Sequence, residues 1–296
     1  MRIASVAVGS DIQPAVEVAG ALYAWSDVVP GYPGASVQDV LPHLCNGGVT
    51  VEVDDAQPLA PDTPVLAPLP RPRRDLICLG KNFAEHATEF NLAMQQPDEI
   101  PTAPIIFTKA TTTVCANGAD VTVDPALTEE VDYEGELAAV IGRQAREIGP
   151  EDALAHVAGY TILNDLTARD LQHRHQQWFV GKSLDGFGPM GPVLVSSDEL
   201  GNPADLQVAT YVDGELRQQA PTSTMIFDVP FVVSFLSRVL TLEVGDIIAM
   251  GTPKGVGVGF DPPRLLEDGS VVEIEISKIG RLSNTIRFRS SHALSR

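Results

Sequence analysis

Two glutamates, Glu134 and Glu136, stand two apart in the run Val131-Asp132-Tyr133-Glu134-Gly135-Glu136-Leu137-Ala138-Ala139-Val140-Ile141. If the run is a strand, both side chains leave from one face, because strand side chains alternate. Gly135 between them leaves a gap through which a ligand could approach. From Leu137 onward the residues are apolar at successive positions, the pattern of a strand buried on both faces. Carboxylates entering such an interior need a proton or a cation. Further along, Asn164-Asp165-Leu166-Thr167-Ala168-Arg169-Asp170 offers a third carboxylate. Three carboxylates make an all-oxygen site for a hard divalent ion, Mg²⁺ or Mn²⁺ rather than zinc. The competing reading, a solvated polar edge, is weakened by the apolar run.

Other residues could complete a catalytic constellation. His86 and Glu89 are three apart in a segment with helical pattern, 83–91, and so share a face. A carboxylate beside an imidazole fixes its tautomer and suits a general base; an exposed surface pair is the plainer alternative. Lys182 opens a glycine- and proline-rich stretch, 181–192, where backbone can approach a ligand closely. Thr252, in Gly251-Thr252-Pro253, has a hydroxyl and an N–H to offer a substrate carboxylate, or belongs to a plain turn. Arg169 is expected to pair with Asp170 or with a glutamate of the site, and Gln172 falls on the same helix, 168–177. His173 and His175, two apart on that helix, do not face the same way and read as peripheral. The run Gly255-Val256-Gly257-Val258-Gly259 lacks the lysine-serine ending and following helix of a phosphate loop.

Taken in order, Leu79-Gly80-Lys81-Asn82-Phe83-Ala84-Glu85-His86, the Glu-Gly-Glu run, the Asn-Asp-Leu-Thr-Ala-Arg-Asp run, 181–192 and 251–257 span most of the chain. In these motifs the chain resembles the fumarylacetoacetate hydrolase family, in the style of its acylpyruvase and 2-hydroxyhepta-2,4-diene-1,7-dioate isomerase members. The resemblance implies a metal held by Glu134, Glu136 and Asp165: Mg²⁺ or Mn²⁺, with Ca²⁺ as a stand-in in a crystal. It implies a catalytic dyad of His86 as base and Glu89 as its orienting partner, on a segment that orders over the substrate. Lys182 then joins the site to stabilise an enolate, and Arg169, Gln172 and Thr252 bind substrate. The activity expected first is hydrolysis of a C–C bond in a 2,4-dioxo acid, of acylpyruvate or fumarylpyruvate type, from the breakdown of aromatic compounds or sugar acids. The alternative is an isomerase, tautomerase or decarboxylase of a 2-oxo dicarboxylate. The His–Glu pair favours the hydrolase, since water must be activated. Two segments depart from the family's common wording: 183–187, where Leu184 stands, and 89–94, more apolar than a lid over a highly charged substrate needs.

The elements that must position these residues are mostly short β-type runs separated by Gly, Pro and Asp turns. Helical pattern is limited to 83–91, 150–155, 168–177 and 229–240, with a further helix starting at Ser36 as N-cap. This predicts a mixed α+β, β-rich fold, with a β-sandwich or β-roll core of the fumarylacetoacetate hydrolase type and a small N-terminal α+β domain. The proline-rich stretch 56–74 marks the junction, giving 1–70 and 71–296 as the two units. Few helices are available to cover the sheet, so a partner subunit or residues 1–55 must do so; a homodimer is expected. The 296 residues carry a net charge of −19, which argues against nucleic acid or an anionic membrane surface as partner. Three scattered cysteines and no visible signal peptide suit a reducing cytoplasm.

Overall fold

The computed structural model describes residues 1–289 except 94, 96 and 98. The stretch 91–103, whose lack of periodicity reads in the sequence as a surface loop or a lid, lies partly outside the described residues. Gly135–Ile141 and Val157–Asn164, buried along their whole length, pair antiparallel at the centre of an eleven-stranded sheet. Nine of its strands run in the order Ala21–Ala24, Asp11–Val18, Arg2–Val8, Gly188–Ser196, Val157–Asn164, Gly135–Ile141, Ile247–Ala249, Leu76–Gly80, Ile105–Lys109; off this path Val65–Leu66 pairs with Arg2–Val8 and Val114–Cys115 with Gly188–Ser196. A five-stranded sheet runs in the order Glu215–Pro221, Gln207–Val212, Val271–Ile276, Gly280–Phe288, Asp120–Val123. This is the mixed, sheet-rich architecture expected.

Alternation along the central strand decides what covers each face. Leu137, Ala139 and Ile141 pack with Val208, Ile274 and Ile286 of the second sheet. Ala138 and Val140 pack instead with Val16, Trp25, Val40 and Leu41 from the N-terminal residues. With both faces covered, every position of the strand must be apolar. The sheet surface for which a partner subunit was one possible cover is therefore closed, on this face, by residues 1–55. Arg2–Val8 pairs with Gly188–Ser196, so the sheet runs unbroken across the proline-rich stretch. A division at 70/71 stands as a proposal about sequence units.

The gap at Gly135 is not open to a ligand. A Cβ there would come within 2.2 Å of the Thr210 hydroxyl and 3.1 Å of Ile274, both from the second sheet. Glycine is needed so that the two sheets can close. Gly135→Ala is expected to destabilise by about 1–3 kcal/mol through overpacking, read as a lower urea midpoint; an unchanged midpoint would show that the sheets can part at no cost.

Helix starts follow their local signals. Ser36 caps Val37–Asn46 with a reciprocal capping box to Asp39, and Asp228 caps Val229–Val239. The helix expected over 168–177 is shorter, Arg169–Arg174, followed by the turn Phe179–Lys182. The reason is a close backbone approach: a Cβ on Gly181 would lie 2.6 Å from Gln172 N and 2.8 Å from Ala168 O. The chain folds back at this point and sets Lys182 beside Arg169. In the 150–155 region, a 3₁₀ turn at Ala153–His156 replaces an α-helix. Among the described residues, no helix is long and apolar enough to cross a membrane.

Candidate metal centre and active site

Glu134 ends the loop before the central strand and Glu136 is its second residue, while Asp165 follows the neighbouring strand at the same end. Pairing of Gly135 with Asn164 and the Asp165 N–H to Glu134 O bond of 2.9 Å hold the three together. One ligand oxygen from each lies within 4.8 Å of the others, and all three residues are buried. The sequence placed these carboxylates on one site, and the structure brings them there.

The cations around them are as buried as the carboxylates. Lys182 Nζ lies 2.8 Å from Glu134 Oε2 and 2.8 Å from Asp165 Oδ2. Lys109, at the end of Ile105–Lys109, reaches Asp165 Oδ1 at 2.6 Å and the Leu166 carbonyl at 3.0 Å, and it also donates to the Lys182 carbonyl. Arg169 places Nη2 2.8 Å from Glu134 Oε1, Nε 2.8 Å from Asp132 and Nη1 3.0 Å from the Gln172 carboxamide oxygen. Arg169 was expected to pair with Asp170 or a site glutamate; it takes the glutamate, while Asp170 accepts from Thr128.

This network treats the two glutamates differently. Burial pushes the Glu134 carboxyl up, but Lys182 and Arg169 outweigh it and hold it at about 2. Glu136 is pushed well above the ordinary range by burial and by the charges of Asp165 and Glu134. Its carboxylate accepts the Gly251 N–H at 2.9 Å and has no cationic partner within ion-pair distance among the described residues. Four buried carboxylates, counting Asp132, face the three buried cations Lys109, Lys182 and Arg169. An excess of buried negative charge at three converging oxygens fits a hard divalent cation. Burial resists the charge on both lysines; Asp165 and Glu134 overcome it at Lys182, raising its pKa, whereas at Lys109 burial prevails and the pKa is lowered.

The helix Ala84–Ala93 lies over this centre. His86 is only 4% exposed, with Nδ1 3.3 Å from Glu89 Oε2. Glu89 is itself held by the Gly255 N–H, 3.0 Å from each carboxylate oxygen. The glycine run that is no phosphate loop thus turns its N–H groups on the protein's own acids: Gly257 and Val258 donate to Asp132 at 2.7 and 3.0 Å. Trp178 packs edge-on against Phe107 and tilts toward Phe90, and a Cβ on Gly80 would sit 2.3 Å from its ring. Between His86, Phe90, Glu134, Gln172, Lys182 and Thr252 remains a cavity of about 10 Å³, room for about one water. The Thr252 hydroxyl is engaged by the scaffold, donating to Gly135 O and accepting from Gln218; its backbone N–H is the group left to consider for a substrate. His173 and His175 are exposed, in keeping with a peripheral place.

Sequence reasoning passed over Lys109, Asp132 and Trp178. The run quoted for the glutamates already contained Asp132, but no local pattern reveals its partners. Lys109 ends an ordinary-looking strand, where a lysine is usually solvated.

The family model described as fumarylacetoacetate (FAA) hydrolase C-terminal matches residues 75–287. The chain belongs to the fumarylacetoacetate hydrolase family. A family relative named oxaloacetate tautomerase YisK, from Bacillus subtilis (strain 168), is 51% identical over 220 residues, 74% of this chain and 72% of that protein. The solved structure of the fumarylacetoacetate hydrolase EaFAH from psychrophilic Exiguobacterium antarcticum is 41% identical with a TM-score of 0.85, over 98% of this chain and 100% of that one. That of 2-hydroxyhepta-2,4-diene-1,7-dioate isomerase from Mycobacterium marinum is 32% identical with a TM-score of 0.75, over 98% and 99%. This chain is therefore an enzyme of the fumarylacetoacetate hydrolase family, and its relatives lean toward the isomerase and tautomerase side rather than toward C–C hydrolysis.

Proposed function

We propose that this enzyme interconverts the keto and enol forms of a short 2-oxo dicarboxylate, with oxaloacetate as the leading substrate. The observation that carries the reading is 51% identity, across most of the catalytic segment, with a protein named oxaloacetate tautomerase. It replaces hydrolysis as the first choice. The His–Glu pair that seemed to require water activation serves proton transfer to carbon equally well.

Glu134, Glu136 and Asp165 would hold a divalent ion, which when bound would supply Lewis-acid stabilisation of an enolate. The protein's own groups do the rest. Glu89 fixes Nδ1 of His86, which leaves Nε2 to handle the proton. In the keto-to-enol direction His86 takes a proton from the carbon beside the keto group and gives that proton to the keto oxygen, which returns the imidazole to its neutral form; the reverse direction runs the same transfer backwards. No C–C bond breaks and no water is consumed. Lys182 keeps its proton between Glu134 and Asp165 and adds positive charge to a closed site where charge develops on oxygen. Arg169, which does not itself line the cavity, holds Glu134 and Gln172 from behind; Gln172 and Thr252 form the wall against which a substrate carboxylate would lie. Because the cavity holds about one water, the Ala84–Ala93 segment has to shift for substrate to enter, the lid role proposed for it.

The test is to follow enol absorbance after oxaloacetate is added to enzyme with Mg²⁺ or Mn²⁺. Accelerated equilibration is expected, together with little pyruvate released from acylpyruvates. Cleavage of an acylpyruvate without acceleration of oxaloacetate tautomerisation would restore the hydrolase reading. A homodimer in the cytoplasm remains part of the proposal.

A further inference from the structure

Asp132 touches neither the candidate metal oxygens nor the catalytic cavity, yet it is fully buried and its carboxylate is saturated with donors. Oδ1 accepts from Gly257 N at 2.7 Å and from Tyr133 N at 2.8 Å; Oδ2 accepts from Arg169 Nε at 2.8 Å and from Val258 N at 3.0 Å. Each of its two arms ends at the site. One runs through Arg169, whose Nη2 lies 2.8 Å from Glu134. The other runs through the glycine run to Gly255, whose N–H holds Glu89, which in turn orients His86.

The glycine arm has little slack. A Cβ on Gly257 would stand 2.5 Å from Arg264 O and 2.7 Å from Asp132 Oδ1, and one on Gly255 1.9 Å from Arg217 O. Gly255 also has φ +108, closed to ordinary side chains. A displacement at Asp132 therefore moves Gly255 and with it the Glu89 carboxylate. The arginine arm is electrostatic. Arg169 divides its charge between Asp132 and Glu134, so that Glu134 keeps capacity to bind a cation. Without the Asp132 charge, Arg169 would bear on Glu134 alone.

We infer that Asp132 is the positioning residue that couples the Glu134 metal carboxylate to the orientation of the His86 base. A mere loop anchor would change melting temperature and nothing else. This inference rests on the metal and base assignments above. Its readouts are taken without substrate, so an error in the substrate class leaves them standing.

The first test is Mg²⁺ titration by calorimetry of the Asp132→Asn variant, beside Glu89→Gln. Asp132→Asn is expected to weaken Mg²⁺ binding by about 10–100-fold, the usual effect of losing a partner behind a metal ligand. Glu89→Gln should weaken Mg²⁺ binding less, by a few-fold at most, because the coupling is reciprocal but reaches Glu134 only through Gly255, the glycine run and Asp132. A folded Asp132→Asn protein with parental Mg²⁺ affinity overturns the inference. Should that variant fail to fold, amide hydrogen exchange on the unaltered protein decides. Adding Mg²⁺ should slow exchange at Gly257 and Val258, and unchanged rates at both overturn the coupling.

Discussion

Replacing Glu136 with glutamine abolishes divalent-metal binding and raises the melting temperature of the metal-free protein. Both halves follow from the same imbalance. Glu136 is buried among Asp165 and Glu134, its pKa is raised by burial and by their charge, and among the described residues its carboxylate accepts from the Gly251 N–H and forms no ion pair. Glutamine keeps the shape and the acceptor for Gly251 and is neutral without taking up a proton on burial, so the cost expressed in the raised pKa is removed. A gain of about 1 kcal/mol raises the midpoint by about 2–4 °C in a protein of this size. Against that, Mg²⁺ at 100 times its dissociation constant stabilises the parent by about 2.7 kcal/mol, and the variant should gain nothing. Differential scanning calorimetry with and without Mg²⁺ reads both. A variant that melts below the metal-free parent, or keeps the Mg²⁺ shift, would refute the assignment. Asp165→Asn provides the contrast: it strips charge from a group bonded to both Lys109 and Lys182. Breaking such a buried pair costs about 3–5 kcal/mol, so that variant loses metal and stability together.

The difference between those two acids was not legible in the sequence. What could be read was local: the i, i+2 spacing of Glu134 and Glu136, the apolar run behind them, and the i, i+3 spacing of His86 and Glu89. Strand positions were legible for the same reason, since a β-type run bounded by turn residues announces itself within a few residues. The order of those strands in the sheet did not. Leu76–Gly80 pairs in parallel with Ile247–Ala249 from the far end of the chain, and nothing in either run specifies the other. Lys109 and Asp132 were missed on the same ground, because their roles depend on partners brought near only by that topology. Gly135 was noticed and misread: its lack of a side chain serves the Thr210 and Ile274 contact rather than a ligand. At Arg169 the sequence left two partners open, and the fold chose Glu134 because the chain turns back at Gly181.

His86→Ala lowers the turnover of the metal-loaded enzyme by about 10²–10⁴-fold, the range for losing a general base, and leaves Mg²⁺ affinity within about twofold. The separation of the two effects is structural. His86 is bonded to Glu89 on the covering helix, while Glu134, Glu136 and Asp165 are held by Lys182, Lys109, Arg169 and backbone from other elements. Removing the imidazole therefore takes away the proton carrier without loosening a metal ligand. The truncated side chain also opens space in a cavity of about 10 Å³. Added imidazole should enter it and restore part of the rate, with a dependence on imidazole concentration that saturates. Glu89→Gln keeps an oxygen to accept the Gly255 N–H but loses the charge that fixes Nδ1, so its loss should be smaller than that of His86→Ala. If His86→Ala retained parental turnover, the proton carrier would have to be sought elsewhere in the wall; Lys182, with its ammonium between two carboxylates, would be the next group to test. If instead turnover fell with Mg²⁺ affinity in parallel, His86 would belong to the support of the metal centre rather than to the chemistry.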